Sequence, residues 1–168
     1  MKNRKYVNTK FGLFLLESEN GCLSGVKRVF EALEDHSCPM LEKAEKALRK
    51  YEQGENFEEI ICLNPACTPF QRLVYQEISK IPFGETASYG EIAERIGNKN
   101  AARAVGQALN RNPIWIFIPC HRVIGKNKAL TGFAGGLELK EMLIEHEKHY
   151  LANSSAICTA FVAAPFLT

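Results

Sequence analysis

A cysteine, a histidine and an arginine follow one another at the end of a short apolar run. The run is Ile116–Pro119, and Cys120, His121 and Arg122 come directly after it. Cysteine is the strongest ordinary protein nucleophile, and its reactive form is the thiolate. We expect the two neighbouring side chains to lower the pKa of Cys120 and to make the thiolate accessible near neutral pH. The alternative is a structural cysteine buried at the end of a strand.

The order of these residues disfavours one familiar cysteine chemistry. In papain-like and caspase-like hydrolases the activating histidine comes from a distant part of the chain. Adjacent residues that leave a strand point apart, so His121 would reach Cys120 through a bridging water or be oriented by another group. Such a site makes a thiolate without an obvious means of repeated turnover.

Two short helices joined by a polar turn are predicted before the reactive run. Ser88 and Glu91 have the spacing of a capping box, and the helix they open ends near Gly97. A second helix is predicted over residues 101–109, with Arg103 among small alanines. This pattern indicates a helix-turn-helix whose second helix can approach a DNA groove closely. The alternative is ordinary packing of an alanine-rich helix.

The distribution of charge agrees with a nucleic-acid partner. The net charge is only +2, but residues 95–137 contain no Asp or Glu. The same stretch contains seven basic residues: Arg95, Lys99, Arg103, Arg111, Arg122, Lys126 and Lys128. A positive surface here would attract phosphates and give salt-dependent affinity. The alternative is an accidental cluster of solvated charges.

The first third of the chain predicts a small scaffold. Strand-like runs cover residues 5–7, 11–16 and 22–29, and Asn20-Gly21 is a type I′ hairpin signal. A helix is predicted over residues 41–53, with Glu42–Lys46 and Glu45–Arg49 pairs and Gly54 after its end.

The remaining segments predict how the reactive cysteine is approached. Thr68-Pro69 is typical of a helix start, and Asn112-Pro113 predicts a turn after the second helix of the helix-turn-helix. The glycine-rich loop 132–136 can approach a flat base closely and precedes a predicted helix over 137–150. On that helix one face holds Lys140, Leu143, Ile144 and Glu147.

We therefore predict an α/β chain. A small N-terminal α/β domain with antiparallel strands covers residues 1–60. A mostly helical, winged-helix-like C-terminal domain covers residues 61–150 and contains the helix-turn-helix. A tail of unknown role covers residues 151–168. With 168 residues the chain is long enough for one good core or two small ones.

Composition argues against several other classes. The sequence has no apolar stretch long enough for a transmembrane helix and no signal-peptide pattern at its start. Its six cysteines form no regular framework, which predicts mostly free thiols, a reducing cytoplasmic location and no membrane partner. A zinc site that uses Cys22, His36 or Cys38 is an open alternative, although the spacing typical of metal ligands is missing.

Four segments together resemble a known family, the O6-alkylguanine-DNA alkyltransferases (methylated-DNA–protein-cysteine methyltransferases). The active-site signature of that family is similar to Asn112-Pro113 followed by residues 116–123. The segments 88–93, 101–106 and 132–137 also look like family segments, in the family's order. The resemblance covers about residues 68–150, and the first 60 residues match only in outline.

The resemblance implies single-turnover repair, with transfer of an alkyl group from O6-alkylguanine, and also from O4-alkylthymine, to Cys120. It implies double-stranded DNA as partner, a flipped base, no cofactor, no metal and a monomer. Glu147 would orient His121, Tyr89 would donate a proton to the leaving guanine, Lys140 would stabilise charge and Asn112 would act as a hinge. The implied DNA-binding residues are Tyr89, Ala101, Ala102, Arg103, Ala104 and Arg122. The implied substrate pocket consists of Pro119, Val123, Phe133, Ala134 and Gly135.

Two positions depart from the commonest family pattern, and two rival functions are considered. Phe133 and Ala134 stand where many relatives carry Tyr and Ser, which predicts altered substrate preference or inhibitor sensitivity. A non-catalytic protein that binds alkylated DNA is the first rival, and Cys120 argues against it because those relatives usually carry Trp there. A cysteine-dependent hydrolase is the second, and the missing distant His–Asn pair and the predicted DNA-reading helices argue against it.

Overall fold

The computed structural model describes residues 2–55 and 61–153. Their contacts divide them into two compact units. The first unit contains residues 2–55, 61–66 and 113–115, and the second contains residues 67–112 and 116–153. The division along the chain thus falls six residues later than the sequence suggested. Within the described ranges, no helix is long and apolar enough to cross a membrane.

The first unit is built on a three-stranded antiparallel sheet. Its strands are β1 (Lys2–Thr9), β2 (Gly12–Glu19) and β3 (Cys22–Val29), in the order β1-β2-β3. The turn between β2 and β3 has positive φ angles of 52° at Asn20 and 77° at Gly21. This confirms the predicted hairpin, because a type I′ turn requires positive φ at both central residues. The first two strands are longer than the sequence predicted.

Helix α1 (Pro39–Glu52) packs against this sheet. It ends where predicted, with Gly54 at a φ of 75°. The expected ion pair between Glu45 and Arg49 is present at 3.4 Å, whereas Glu42 pairs with Lys5 at 2.8 Å. The helix and the sheet share an apolar core made by Val7, Phe14, Leu16, Leu23, Val26, Leu41, Leu48 and Tyr51.

A disulfide joins Cys22 to Cys62, forty positions along the chain. Backbone hydrogen bonds support it, since Leu23 donates to the Cys62 carbonyl at 2.8 Å and accepts from Asn64 at 2.9 Å. The sequence did not predict this pair. Cys38, Cys67 and Cys120 carry free thiols, and Cys158 lies outside the described residues. The pairing also removes Cys22 from the alternative zinc site.

The chain between the helix-turn-helix and the reactive residues is not a strand. Pro113 and Trp115 form backbone hydrogen bonds with Val26 of β3, at 2.8 and 3.0 Å. The chain then turns at Ile116, which has a φ of 72°. The prediction of a strand-like run over Ile116–Ile118 is therefore wrong. The run is apolar because the turn is buried, and a short apolar run alone does not define a strand.

The second unit is mostly helical, as predicted. Its elements are α2 (Pro69–Ile78), β4 (Ala87–Ser88), α3 (Tyr89–Arg95), α4 (Ala102–Asn110), β5 (Val123–Ile124) and α5 (Leu137–Asn153), with 3-10 turns at Lys99–Ala101, Cys120–Arg122 and Lys126–Lys128. Capping boxes open α2 and α3, from Thr68 with Gln71 and from Ser88 with Glu91. Helices α3 and α4 with the turn between them form the helix-turn-helix. Helix α5 continues three residues into the predicted tail, and the rest of that tail lies outside the described residues.

Candidate active site

A short parallel pairing brings the start of α3 beside the reactive turn. Strand β4 pairs with β5 through Ala87–Val123 and Ser88–Ile124. Tyr89 follows β4 directly, and the turn of residues 120–122 precedes β5 directly. Two segments more than thirty residues apart in the chain are thereby fixed side by side.

Cys120 is buried, with 3 % of its surface exposed, and is held by a neighbouring amide. The side-chain nitrogen of Asn112 lies 3.0 Å from the Cys120 sulfur and donates to the Ile118 carbonyl at 2.9 Å. Asn112 is itself buried. One amide group therefore fixes both the sulfur and the turn that leads to it.

The surroundings of Cys120 favour the thiol over the thiolate. Burial raises the pKa of Cys120 to about 11, against the lowering effects of the hydrogen bond from Asn112 and the positive charge of Lys140. The expectation that His121 and Arg122 would lower this pKa below its ordinary value is therefore wrong. The loss of water around the sulfur outweighs the nearby donors and charge. Formation of the thiolate requires a base.

His121 forms a close pair with Glu147 on α5. The ring atom Nε2 of His121 lies 2.5 Å from Oε1 of Glu147, and both side chains are fully buried. The sequence placed these two residues together only through the family resemblance. Residues 26 positions apart meet because the 3-10 turn and α5 pack against each other. With Nε2 donating to the carboxylate, Nδ1 is the basic nitrogen of the neutral ring.

Arg122 binds the same carboxylate and is not a DNA-binding residue. Its Nε donates to Oε2 of Glu147 at 2.9 Å and its Nη2 donates to Oε1 at 3.1 Å. Its Nη1 donates to the Ile81 carbonyl at 2.7 Å, and only 2 % of the residue is exposed. The assignment of Arg122 to DNA contact is therefore wrong. A surface position is usual for arginine, but here a buried carboxylate satisfies its charge.

The ionisation states of this cluster follow from burial and charge. Burial lowers the pKa of His121, and Glu147 opposes this while Arg122 and Lys140 reinforce it. Burial opposes ionisation of Glu147, but the guanidinium charge of Arg122 and the hydrogen bonds from His121 and Arg122 hold the pKa of that carboxyl far below its usual range. At neutral pH the cluster therefore contains a carboxylate, a guanidinium and a neutral imidazole.

Lys140 and Tyr89 share a backbone acceptor. The Lys140 ammonium donates to the Thr131 carbonyl at 2.7 Å and to the Val123 carbonyl at 2.6 Å. The Tyr89 hydroxyl donates to Thr131 at 2.8 Å, and Lys140 Nζ lies 5.7 Å from the centre of the Tyr89 ring. Burial lowers the pKa of Lys140 to about 8 and raises the pKa of Tyr89. The two side chains hold the glycine-rich loop against the reactive turn.

The residues predicted to contact DNA at and before α4 differ in their exposure. Arg103 is exposed, and Ala102 and Ala104 beside it are half-buried. Ala101 is 93 % buried and belongs to the 3-10 turn before α4, so its assignment as a DNA-contacting residue is wrong. It faces the core because the 3-10 turn and the α-helix that follows orient their side chains differently.

The predicted pocket residues have unequal exposure. Pro119 and Val123 are buried, Phe133 and Gly135 are half-buried, and Ala134 is exposed. The parts of the site that the sequence did not reveal are mainly backbone groups. The Gly84 amide donates to Oε2 of Glu147 at 3.0 Å, and the carbonyls of Ile81 and Thr131 accept from site side chains. Backbone groups leave no signal in residue identity.

The described residues hold no cluster of three or more His, Cys, Asp or Glu side chains placed to bind a metal ion. The chemistry available at the site is that of one buried thiol, a neutral imidazole with an ionised carboxylate behind it, and one ammonium. These groups suit proton removal from sulfur followed by attack of the sulfur on an electrophilic carbon.

Comparisons with known proteins agree with this arrangement. Residues 69–149 match the family model described as 6-O-methylguanine DNA methyltransferase, DNA binding domain. The chain is 51 % identical over 105 residues to a methylated-DNA–protein-cysteine methyltransferase of Methanosarcina acetivorans. That alignment covers 62 % of this chain and 67 % of the relative.

Solved structures extend the similarity to nearly the whole chain. The O6-methylguanine methyltransferase of Mycobacterium tuberculosis has a TM-score of 0.81 and 36 % identity, covering 96 % of this chain and 99 % of that one. A structure of the M. tuberculosis protein OGT in complex with DNA has a TM-score of 0.78 and 38 % identity, covering 88 % of this chain and 93 % of that one.

Proposed function

Because this chain belongs to the methylated-DNA–protein-cysteine methyltransferase family, we propose that it repairs DNA by moving the alkyl group of O6-alkylguanine to Cys120. The observation that carries the assignment to Cys120 is its position. It is a buried free thiol held by Asn112, and the next residue is a neutral histidine backed by an ionised Glu147. Only a substrate that enters the site can reach such a sulfur.

The reaction begins with removal of the Cys120 proton. The neutral ring of His121 accepts that proton through a bridging water, and the carboxylate of Glu147 stabilises the imidazolium that results. The ammonium of Lys140 stabilises the thiolate. The sulfur then attacks the alkyl carbon in line, so that a carbon–sulfur bond forms as the carbon–oxygen bond breaks and its electron pair moves to guanine O6.

The displaced guanine anion requires a proton. Tyr89 is proposed to supply it, and the position of its hydroxyl at the glycine-rich loop, with its ring near Lys140, supports this role. In the absence of substrate this hydroxyl donates to the Thr131 carbonyl. The product is a thioether, which water does not hydrolyse, so each molecule acts once. This chemistry requires no cofactor.

Helix α4 is proposed to enter the minor groove of double-stranded DNA. The exposed Arg103 would take the place of the flipped nucleotide in the base stack, while the half-buried Ala102 and Ala104 allow close approach. The basic residues of the acid-free stretch over residues 95–137, all exposed except Arg122, support phosphate binding by the second unit.

The flipped base is proposed to lie among Pro119, Val123, Phe133, Ala134 and Gly135. O6-alkylguanine is the preferred substrate, and O4-alkylthymine presents a similar alkyl–oxygen bond. The absence of a hydroxyl from Phe133 and Ala134 removes one possible hydrogen bond to the guanine oxygen. We therefore expect an altered preference among alkyl groups and inhibitors.

The protein is proposed to work as a monomer in the cytoplasm. One alkyl group, one cysteine and one flipped base complete the chemistry without a second copy. Three free thiols on the described residues support a reducing compartment. The disulfide between Cys22 and Cys62 is of a kind rare in that compartment.

One experiment tests the proposed function. The purified protein is mixed with a duplex oligonucleotide containing O6-methylguanine, and its intact mass is measured before a peptide map is made. We expect a gain equal to one methylene group, on the peptide with Cys120, that never exceeds one per molecule. Cys120→Ser should gain nothing, and Cys67→Ser, which changes another free thiol, should behave as the wild type.

The same measurement separates the rival functions. A protein that binds the lesion and stays unmodified would be a non-catalytic recognition protein. A protein that neither binds the lesion nor gains mass would contradict the proposed function and favour cysteine-dependent hydrolysis.

A further inference from the structure

We propose that Arg122 is a positioning residue that keeps His121 neutral and Cys120 in its thiol form until a substrate enters the site. This inference rests on the proposed function, and it adds a means by which a single-use sulfur is protected. It starts from the finding that Arg122, which was predicted to contact DNA, is buried in the interior.

The first step is the sharing of one carboxylate by two side chains and one backbone amide. Oxygen Oε1 of Glu147 accepts from Nε2 of His121 at 2.5 Å and from Nη2 of Arg122 at 3.1 Å. Oxygen Oε2 accepts from Nε of Arg122 at 2.9 Å and from the Gly84 amide at 3.0 Å. A carboxylate that bound His121 alone would strongly favour a charged imidazolium. Here a permanent guanidinium already compensates the negative charge.

The second step is that Arg122 is fixed in place and cannot leave the carboxylate easily. Its third nitrogen donates to the Ile81 carbonyl at 2.7 Å, and its guanidinium carbon lies 5.9 Å from the centre of the Phe83 ring. Only 2 % of the residue is exposed. A guanidinium has five donors in a rigid planar arrangement, which suits it to hold a carboxylate at two points.

The third step is the charge balance around His121. The 3-10 turn contributes Cys120 and Arg122, and α5 contributes Glu147 and Lys140. The phenols Tyr75 of α2 and Tyr89 of α3 have raised pKa values and remain neutral below pH 10. With one carboxylate and two cations present, a third positive charge on His121 is unfavourable, and both cations act to lower its pKa.

The consequence concerns the resting state of the sulfur. Transfer of the Cys120 proton to His121 creates a thiolate and an imidazolium. The positive charge of Arg122 makes the imidazolium less stable. The resting site therefore contains a thiol and a neutral base. Small alkylating agents react with thiolates, so this arrangement preserves the sulfur for a substrate held in the pocket.

The test measures alkylation of Cys120 by iodoacetamide as a function of pH, resolved by peptide mass spectrometry and without DNA. Arg122→Met removes the guanidinium, and Glu147 then stabilises the imidazolium alone. We expect its reactivity profile to move to lower pH, with a rate at pH 7 at least about tenfold above the wild type, which corresponds to one pKa unit. Arg122→Lys retains the positive charge but loses the two-point contact with Glu147, so its profile should lie between those of the wild type and Arg122→Met.

Internal controls are available in every sample. The peptides that contain Cys38 and Cys67 should react equally in all variants, and Arg28→Met, which removes an arginine of β3 in the first unit, should leave the reactivity of Cys120 unchanged. Thermal unfolding verifies that each variant is folded. A rise in Cys120 reactivity by the same factor at every pH would indicate simple exposure of the sulfur and would overturn the inference. An unchanged profile for Arg122→Met would overturn it as well.

Glu147→Gln provides a second variant with the opposite expected sign. It leaves Arg122 unopposed, so the imidazolium is less stable and Cys120 should react more slowly than in the wild type at pH 7. If Arg122→Met does not fold, this variant decides, and a faster reaction would contradict the inference. Because iodoacetamide needs no DNA, these results are independent of whether the protein accepts alkyl groups from a lesion.

Discussion

At the scale of single residues, Asn112 has the most direct contact with the reactive atom. Its amide donates both to the Cys120 sulfur and to the Ile118 carbonyl. The residues alone indicated a turn at this position, from the proline that follows it, and the family resemblance implied a hinge. The contact with sulfur depends on the buried turn over residues 116–118, which no periodic pattern predicts.

We predict that Asn112→Ala slows alkyl transfer by about tenfold to a hundredfold, because a hydrogen bond to a charged group contributes about 1.5–3 kcal/mol. The single-turnover rate with O6-methylguanine duplex, at saturating DNA, measures this. Asn8→Ala, at an exposed asparagine of β1, is the matched control and should react at the wild-type rate. An equal rate for Asn112→Ala would show that the amide has only a structural role.

The residue types alone predicted less about the buried charged side chains of the active site. Arg122 was assigned to DNA through the family resemblance, and its place in the basic stretch agreed with that assignment. Its partner Glu147 is 25 positions away, so no local pattern joins them. Glu147 itself was found only through the family resemblance.

At the scale of secondary structure, the sequence was most informative about helix starts. The helix start at Thr68-Pro69, the capping box of Ser88 and Glu91, the hairpin turn and the glycine after α1 all form as predicted, because each depends on contacts within a few residues. Ala101 was misplaced because the transition from 3-10 turn to α-helix shifts which side chains face the core.

The exposed position of Arg103 on α4 leads to a prediction about this helix. Arg103→Ala should reduce the transfer rate from a lesion in duplex DNA by at least about tenfold, since refilling the gap in the base stack offsets an unstacking cost of a few kcal/mol. Transfer from the free base O6-benzylguanine should remain within about twofold of the wild type, because no base must be flipped.

The control for this helix is Arg28→Ala, which removes an arginine from β3 in the first unit and should change neither rate. The two substrates are compared in single-turnover reactions at one salt concentration. Loss of both activities in Arg103→Ala would mean that the arginine supports the site and does not act on DNA.

At the scale of the whole molecule, the fold class was predictable and the covalent connection was not. Strand-like runs and a hairpin signal indicated an α/β first unit, and helix-start and capping residues indicated a helical second unit. The disulfide between Cys22 and Cys62 joins positions too far apart for any local signal. Its loop of 40 positions would stabilise the folded state by about 4 kcal/mol on a chain-entropy estimate.

We predict that reduction of this disulfide lowers the stability of the first unit while alkyl transfer stays within about twofold of the wild type. Cys120 and all of its described hydrogen-bond partners belong to the second unit. Denaturant unfolding and the single-turnover assay, each with and without dithiothreitol, measure the two effects. The double variant Cys22→Ser, Cys62→Ser should have the stability and transfer rate of the reduced protein, and dithiothreitol should change neither.

Reduction could instead abolish transfer in buffer without denaturant, at a temperature where the protein remains folded. That result would contradict the prediction that transfer does not depend on the disulfide of the first unit. If reduction changed neither property, the two thiols would not be paired in solution.

The shared use of backbone acceptors in the active site has a consequence for sequence divergence. Asn112, Arg122, Lys140 and Tyr89 donate to the carbonyls of Ile118, Ile81, Val123 and Thr131. A carbonyl is present whatever the side chain, so these contacts do not depend on the identity of the acceptor residue. The hydrogen bonds of the site therefore constrain only the donor side chains, whereas Ile81, Ile118 and Val123 are constrained by their burial in the core.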